Sequence, residues 1–394
     1  MPPRTDLQID DLTVSTLKGL AIDAIQAANS GHPGMPMGMA AAAHVLWSRF
    51  LKFDPSAPAW PDRDRFVLSA GHGSMLLYGL LHLYGFPLSM DDLRQFRQLH
   101  SRTPGHPEFG HTAGVDTTTG PLGQGLTNAV GMALAEARLR AEFGAELCDH
   151  WTWVIAGDGC MMEGITHEAS SLAGHLGLGR LIVLYDSNHI SIDGRTELTF
   201  TEDVAARYRA YGWIVSEVAG DDQAAVAAAL QTAQADQTRP KLIVCHTTIG
   251  AGSPKLAGSH KVHGAPLGPD EVAATKRQIG LDPEQYFHVE ERVYHAARAR
   301  NGDRQTARQA WEARLHRPRP SSWTQALTLS RARSHPGPKK AKAIQGHQDQ
   351  SAVVRQDRRP KPGQAHQGGE EEKPLEPHRQ GHVLADHEIG RAHV

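Results

Sequence analysis

The stretch AGDGCMMEGITHEAS, residues 156–170, places an aspartate between two glycines directly after a hydrophobic run, residues 151–155. Gly-Asp-Gly is ordinary turn chemistry between a strand and a helix. It also suits a strand end whose backbone comes close to an ion or an anionic ligand, because neither flanking residue carries a side chain. The triplet alone leaves both interpretations open, and the rest of the chain has to separate them.

Strand-like and helix-like segments alternate on both sides of this stretch. The strand-like segments are almost wholly apolar, which is typical of a parallel sheet covered by helices on both faces. We therefore expect an α/β fold of that kind, whose ligands bind outside the carboxyl ends of the strands. The pattern predicts strands over residues 65–69, 151–155, 181–185, 213–218 and 242–245, and helices over 122–140, 162–176, 202–211 and 223–235.

Composition limits the partners and the compartment. The chain has 394 residues, 40% of them hydrophobic, with a formal charge of −2. That is enough for a large core, and it gives no electrostatic case for nucleic acid or a membrane surface. Three scattered cysteines predict neither a disulfide framework nor a zinc knuckle, so we expect a cytoplasmic protein. The first residues do not resemble a signal peptide, and no apolar run is long enough to span a bilayer.

The character of the chain changes after about residue 315. Residues 316–394 are polar and rich in proline, as in SHPGPKKAK and DRRPKPGQAHQGGEEEKP. Such a segment buries too little apolar surface to offset the entropy lost on ordering. We expect one domain over 1–315 and a low-complexity tail over 316–394 that is disordered or artefactual. The final EIGRAHV can be encoded by a stretch resembling a sequencing-library adapter, so a truncation or frameshift after about residue 315 is expected.

Two oxygen-bearing side chains follow neighbouring predicted strands. Asp158 and Asn188 lie 188 − 158 = 30 residues apart, separated by one helix and one strand. Strand ends of such a unit meet at one crevice, and the loop SNHISIDG adds a backbone carbonyl. This all-oxygen set suits Mg²⁺ or Ca²⁺, and Mg²⁺ typically keeps places for phosphate oxygens. Asn188 alone could be an Asx-turn residue, but the pair favours a metal site.

The Gly-Asp-Gly triplet followed by this asparagine resembles the thiamine diphosphate motif of thiamine enzymes. Further blocks, in order, narrow the resemblance to the transketolase family, from about residue 7 to about residue 315. Together they are specific, whereas any one alone would be weak. The blocks are SGHPGMPMG (30–38), SAGHGSMLLYGLLHL (69–83), FRQLHSRTPGHPE (96–108), TTTGPLGQG (117–125), GDGCMMEGITHEA (157–169) and GAGSPKLAGSHKVHGAPLG (250–268).

The resemblance implies a site for thiamine diphosphate and Mg²⁺, with Ca²⁺ or Mn²⁺ as possible substitutes. Asp158, Asn188 and the carbonyl of Ile190 would hold the metal on the diphosphate. Taken alone, the histidine of GHG could equally be a hydrogen-bonded loop residue, and the glycines could simply permit tight turns. The residues that would contact the cofactor are His72, Gly120, Pro121, Leu122, Gly159, Asn188 and His260.

The resemblance also implies a substrate channel. His32, His106 and His260 would be catalytic, because imidazoles donate to sugar hydroxyls and relay protons near neutral pH. His32 and His260 would also contact substrate, and Arg97 would anchor its phosphate, with an exposed helix arginine as the alternative. Glu163 resembles the acid that couples the two cofactor sites of the family's dimer, and its alternative is a first-turn helix acid favoured by the dipole.

The activity implied is reversible transfer of a two-carbon ketol group from a ketose phosphate to an aldose phosphate, in the pentose phosphate pathway. The resemblance also implies that the full-length protein forms a homodimer and has no nucleic-acid or membrane partner. Dihydroxyacetone synthase and deoxyxylulose-phosphate synthase are alternatives, the latter disfavoured by the blocks above. A catalytically dead cofactor-binding or oligomerising module is a third. Since the pyrimidine-binding and C-terminal domains of the family are not matched, we expect this polypeptide alone to be inactive.

Overall fold

The computed structural model describes residues 8–315 of the chain, and the predicted tail over 316–394 lies outside the described residues. The strands are β1 Arg65–Leu68, β2 Thr152–Gly157, β3 Leu181–Ser187, β4 Ile190–Ser191, β5 Gly194–Arg195, β6 Ile214–Ala219 and β7 Lys241–His246. The α-helices are α1 Ile9–Ala28, α2 Gly34–Val45, α3 Ser74–Leu83, α4 Met90–Arg94, α5 Gln124–Phe143, α6 Asp158–Met162, α7 Gly164–His175, α8 Val204–Ala210, α9 Gln223–Ala235, α10 Pro269–Gln278, α11 Glu291–Arg298 and α12 Asn301–Leu315.

Five of the strands form one parallel sheet in the order β1-β2-β3-β7-β6. Strands β4 and β5 form a separate antiparallel pair in the loop after β3. The prediction of a parallel sheet is confirmed, and each predicted strand overlaps one of these five. In this order β2 and β3 are neighbours, so the chain segments that follow them leave the sheet side by side.

The sheet divides the hydrophobic core into two layers. On β2, Trp153 and Ile155 pack with residues of α1, α2, α3 and α9, whereas Val154 and Ala156 pack with residues of α5, α7 and α8. Successive side chains of a strand point to opposite faces, so a strand covered on both faces must be apolar at every position. That explains the continuous apolar runs in the sequence and confirms helices on both faces.

Two of the differences from the predicted helix boundaries lie next to each other in the structure. The predicted helix over 162–176 is interrupted at Glu163, whose backbone is extended (φ −73°, ψ 133°), and α6 and α7 lie on either side of it. The helix predicted from residue 122 begins at Gln124, because Gly123 adopts φ +77°. A Cβ on Gly123 would lie 2.7 Å from the Cβ of Glu163. The two breaks therefore pack against each other.

The first turn of α5 is predicted to tolerate no side chain at Gly125. A Cβ there would lie 2.6 Å from the Cα of Ser69, at the end of β1, while the same helix leaves open space around Gly131. Gly125→Ala should lower the free energy of unfolding by ~1–3 kcal/mol through overpacking. Gly131→Ala should raise it by ~0.5–1 kcal/mol, because alanine is the better helix former. Urea unfolding of both variants checks this, and equal effects would contradict the packing described.

Candidate functional site

The carboxyl ends of β2 and β3 bring the predicted aspartate and asparagine together. Asp158 follows β2 directly and is 3% exposed. Its Oδ1 accepts a hydrogen bond from the hydroxyl of Tyr185 at 2.5 Å. Its Oδ2 accepts from the backbone N–H groups of Asn188 at 3.2 Å and His189 at 2.9 Å. The strand ends thus aim an acid at the loop after β3.

The amide of Asn188 is oriented by a residue that sequence reasoning missed. Its Nδ2 donates to Oδ2 of Asp186 at 3.0 Å, and its Oδ1 accepts from the backbone N–H of Ile190 at 3.0 Å. The hydroxyl of Thr247, after β7, donates to the other oxygen of Asp186. Asp186 is 1% exposed. The sequence signal that could have identified Asp186 is an acid near the end of an otherwise apolar strand.

Charge at this strand end fits a divalent cation. Burial raises the pKa of Asp158, and it raises that of Asp186 to about 7 with a further contribution from the charge of Asp158. Neither acid has a lysine or arginine ion pair within residues 8–315, whereas the buried Asp23 pairs with Lys276 at 2.6 Å. Carboxylate, amide and carbonyl oxygens are the ligands that Mg²⁺ prefers. A cation held here would offset the uncompensated charge.

The loop that carries the predicted carbonyl ligand is fixed by its own small core. Ile190 is buried in a cluster with Ile249 and Val262. A cleft of about 390 Å³ opens beside Asp158 and is lined by residues of β3, of the loop after it and of β7. Hydrogen bonds therefore place Asp158, Asn188 and Ile190 in one neighbourhood, and of these three Asp158 lines the cleft.

A cluster of histidine rings lies at the same end of the sheet. The ring of His32 lies 5.1 Å from that of His72, 6.5 Å from that of His106 and 5.5 Å from that of His263, between centroids. The rings of His72 and His263 are 5.1 Å apart. These four residues, the histidine cluster, come from four separate chain segments. Three of them were predicted as site residues.

His263 joins this cluster where His260 was predicted. His260 is exposed and begins the short 3₁₀ turn His260–Val262, whereas the buried Val262 anchors that turn and His263 follows it. The next residue, Gly264, packs on the ring of His32, since a Cβ on it would lie 3.2 Å from Nε2. The segment HKVHG offers two histidines, and the sequence contains no periodicity that separates them.

The rings of the histidine cluster are neutral at physiological pH. Burial lowers the pKa of His32 to about 3, with further lowering by His263, Arg97 and His106. Burial also lowers the pKa of His72, His106 and His263. A neutral imidazole carries one N–H and one acceptor nitrogen, so each ring can both donate and accept.

The predicted glycine-rich loops are assembled around these groups. A Cβ on Gly71, beside the predicted His72, would lie 2.8 Å from the backbone nitrogen of Gly120. Gly120 adopts φ +149° against the ring of His106, and a Cβ on Gly159 would lie 2.8 Å from Cδ1 of Leu122. Pro121, between these two loop positions, is exposed. At Gly71 one loop backbone closely approaches another, whereas Gly120 and Gly159 lie against the side chains of His106 and Leu122.

The two remaining predicted residues lie at different places. Glu163 is exposed at the break between α6 and α7. Arg97 lies beyond α4, which ends at Arg94, and adopts φ +60°. It is half-buried, and its guanidinium donates to Oγ of Ser30 at 2.8 Å. The alternative of an exposed helix arginine is therefore wrong.

A second group of potential metal ligands lies at the other end of the sheet. Asp62, Cys148 and His150 are buried there with their ligand atoms within 4.8 Å of one another. Lys52 already pairs with Asp62 at 2.9 Å, and the ring of His150 contacts the same carboxylate. Because the charge of Asp62 is already balanced by Lys52, we interpret the group as a structural hydrogen-bond and ion-pair network and not as a metal site.

With this geometry established, comparison with known proteins gives the family. The family described as transketolase, thiamine diphosphate binding domain, matches residues 9–333. This chain therefore belongs to the family of transketolase thiamine diphosphate-binding domains. Transketolase 2 of Escherichia coli (strain K12) is 54% identical over 305 residues, covering 76% of this chain and 45% of that protein. Transketolase of Geobacillus stearothermophilus is 56% identical over 295 residues, covering 74% and 44%.

Solved structures of transketolases are also similar to this chain. Transketolase from Leishmania mexicana superposes with a TM-score of 0.77 at 48% identity, covering 83% of this chain and 48% of that one. A Pichia stipitis transketolase in complex with sedoheptulose 7-phosphate gives 0.77 at 45% identity, with the same coverage. The chain spans about half the length of the relatives it matches. Across residues 8–315, no helix is both long enough and apolar enough to cross a membrane.

The neutral histidine cluster predicts a pH-dependent stability. The pKa of His32 is about 3 in the fold and about 6.5 in an unfolded chain, so below pH 6.5 only the unfolded state binds that proton. The free energy of unfolding should therefore fall on acidification, with His32 contributing up to ~1.4 kcal/mol per pH unit.

His32→Gln should flatten the decline between pH 6.5 and pH 5 in urea unfolding experiments. His260→Gln is the matched control, because that ring is exposed in the fold, and it should keep the original slope. A His32→Gln slope equal to the unsubstituted one would show that this ring takes up its proton in the folded state.

Proposed function

We propose that this chain supplies the diphosphate-binding part of a transketolase that moves a two-carbon ketol group from a ketose phosphate to an aldose phosphate. One observation carries the proposal: Asp158 and Asn188 meet at the ends of β2 and β3. The glycine-rich segments around Gly71, Gly120 and Gly159, which match the family's cofactor site, pack closely together. The relatives' name supports the reaction. The sugar phosphate in a related structure supports the substrate class.

The chain's part in binding follows from its donor set. Asp158, Asn188 and the carbonyl of Ile190 would hold Mg²⁺, and Ca²⁺ or Mn²⁺ could take its place. His72, Gly159 and the backbone of residues 120–122 would contact the diphosphate end of the cofactor. When bound, thiamine diphosphate supplies the carbon nucleophile for a ketose carbonyl. The buried position of Asp158 favours cation binding, since an unpaired carboxylate there is costly.

The histidine cluster would handle the substrate. His32, His106 and His263 are neutral, so they can donate to sugar hydroxyls or carbonyl oxygens and accept protons from them without first losing charge. Positioned acids and bases of this kind contribute typically ~10²–10⁴-fold to rate. We assign to His263 the role predicted for His260, because His263 contacts His32 and His72 while His260 is exposed.

A homodimer is proposed on the surface around Glu163. Three apolar side chains, Ile165 and Leu172 on the following helix and Leu176 at its C-cap, are 42%, 46% and 44% exposed. Their spacing is that of one helix face, and Glu163 lies at its start. A second copy of the chain would cover this face and bring the acid to the subunit boundary. A cytoplasmic location is proposed with it, since Cys148, Cys160 and Cys245 are free thiols.

The domain limits stay a prediction. The proposed domain covers residues 1–315, while the family match itself extends to residue 333. Within the thiamine enzymes, dihydroxyacetone synthase is the second candidate, and acceptor choice separates the two. A module that binds cofactor without turnover is the third.

The metal assignment predicts a graded loss of cofactor binding, measured by calorimetry on the 394-residue chain with thiamine diphosphate and Mg²⁺. Asp158→Ala removes a direct ligand and should abolish Mg²⁺-dependent binding. Tyr185→Phe removes one hydrogen bond to that ligand and should weaken binding by ~10–100-fold. Asp193→Ala, an exposed acid of the same loop, is the matched control and should bind normally. Unchanged binding by the Asp158→Ala chain would refute the metal site.

A further inference from the structure

Arg97 has an unusual backbone for an arginine. Its φ of +60° lies in the left-handed region, which costs a non-glycine residue ~1–2 kcal/mol. Its backbone N–H donates to the carbonyl of Thr103 at 3.0 Å, which closes the loop between the two residues. Strained residues of this kind persist where the surroundings fix them, and they concentrate at functional sites.

The guanidinium of Arg97 is directed at the histidine cluster. One terminal nitrogen donates to Ser30 at 2.8 Å, and the other lies 3.5 Å from Nδ1 of His32. Its Nε is buried, with no hydrogen-bond partner among residues 8–315. None of the ion pairs within that range includes this arginine, so its contacts are with neutral groups.

Gly105 makes room for this arrangement. A Cβ on Gly105 would lie 2.9 Å from Nε and 3.1 Å from Cζ of Arg97. The backbone of Gly105 is held in place, since its carbonyl accepts a hydrogen bond from Ser74 at 2.8 Å. The guanidinium therefore lies on a glycine surface that any side chain would disturb.

The chemistry of the contact fixes the proton on His32. Arginine only donates hydrogen bonds, so Nδ1 of His32 must accept, and the proton of the neutral ring resides on Nε2. The edge of the ring that carries Nε2 and Cδ2 runs along Gly264. Both edges of this ring are thus defined, one by a donor and the other by a glycine.

We propose that Arg97 is a positioning residue that holds His32 as its Nε2–H tautomer with a fixed ring orientation, and that it is not the anchor of a substrate phosphate. The proposal deepens the proposed function, on which its catalytic meaning rests. The groups facing His32 are the rings of His72, His106 and His263 and the guanidinium itself. No carboxylate contacts the ring among the described residues to oppose this arrangement.

The tautomer can be read directly by NMR of the full chain labelled with ¹⁵N-histidine, with the His32 signals assigned by their loss in His32→Gln. The unsubstituted chain should show Nδ1 of His32 as an unprotonated nitrogen. Arg97→Lys keeps a donor and should preserve this state. Arg97→Glu presents an acceptor and should move the proton to Nδ1. Arg102→Met, which removes an exposed arginine of the same segment, is the matched control and should change nothing.

Two further variants test the same contact in case the Arg97→Glu chain does not fold. Gly105→Ala displaces the guanidinium without changing Arg97, and it should shift the Nδ1 signal towards an average of the two tautomers, as Arg97→Met should. An unprotonated Nδ1 in all of Arg97→Glu, Arg97→Met and Gly105→Ala would overturn the proposal.

The alternative role of Arg97, as the anchor of a substrate phosphate, is tested by a separate measurement. Titration with inorganic phosphate should proceed equally in the unsubstituted and Arg97→Met chains. Weaker phosphate binding by Arg97→Met, with an unaltered tautomer, would return Arg97 to the role of phosphate anchor. Neither measurement depends on turnover. Failure of the proposed function would be detected separately, by the calorimetry of the Asp158, Tyr185 and Asp193 variants.

Discussion

The carboxylate of Asp158 is held at the end of β2 by a tyrosine hydroxyl and two backbone N–H groups. Those donors belong to β3 and the loop after it, so the neighbouring position of the two strands is what allows the acid to be buried. The same loop carries Asn188 and Ile190. Without a parallel sheet that places β2 beside β3, the three candidate ligands would have no common location.

At the ends of β2 and β3 the buried acids Asp158 and Asp186 have hydrogen bonds but no lysine or arginine ion pair among residues 8–315. Two other buried acids pair with cations, Asp23 with Lys276 and Asp62 with Lys52. At the strand ends the acids are raised in pKa and the histidines lowered, both chiefly by burial. A neutral, desolvated histidine cluster and a buried acid at the same end of the sheet have the perturbed pKa values that are typical of functional sites.

The sheet, its helices and the pair Asp158 and Asn188 were predictable, because apolar periodicity and strand-end position are local signals. His263 and the orienting role of Asp186 were not. Which of two histidines in HKVHG turns inwards depends on the anchoring of Val262, a contact between distant segments. The place of Arg97 was missed because its left-handed backbone and its hydrogen bond to Ser30 depend on chain segments far apart in sequence. Tertiary contacts, which local pattern does not contain, decided each case.

The most direct test exchanges the matching first half of Escherichia coli transketolase 2 for this chain's residues 1–315 and measures ketol transfer from a ketose phosphate to an aldose phosphate. The exchanged enzyme should turn over. His263→Gln should reduce turnover by ~10²–10⁴-fold, while His260→Gln should reduce it far less. Full activity in His263→Gln, or transfer to formaldehyde in preference to an aldose phosphate, would contradict the function proposed for this site.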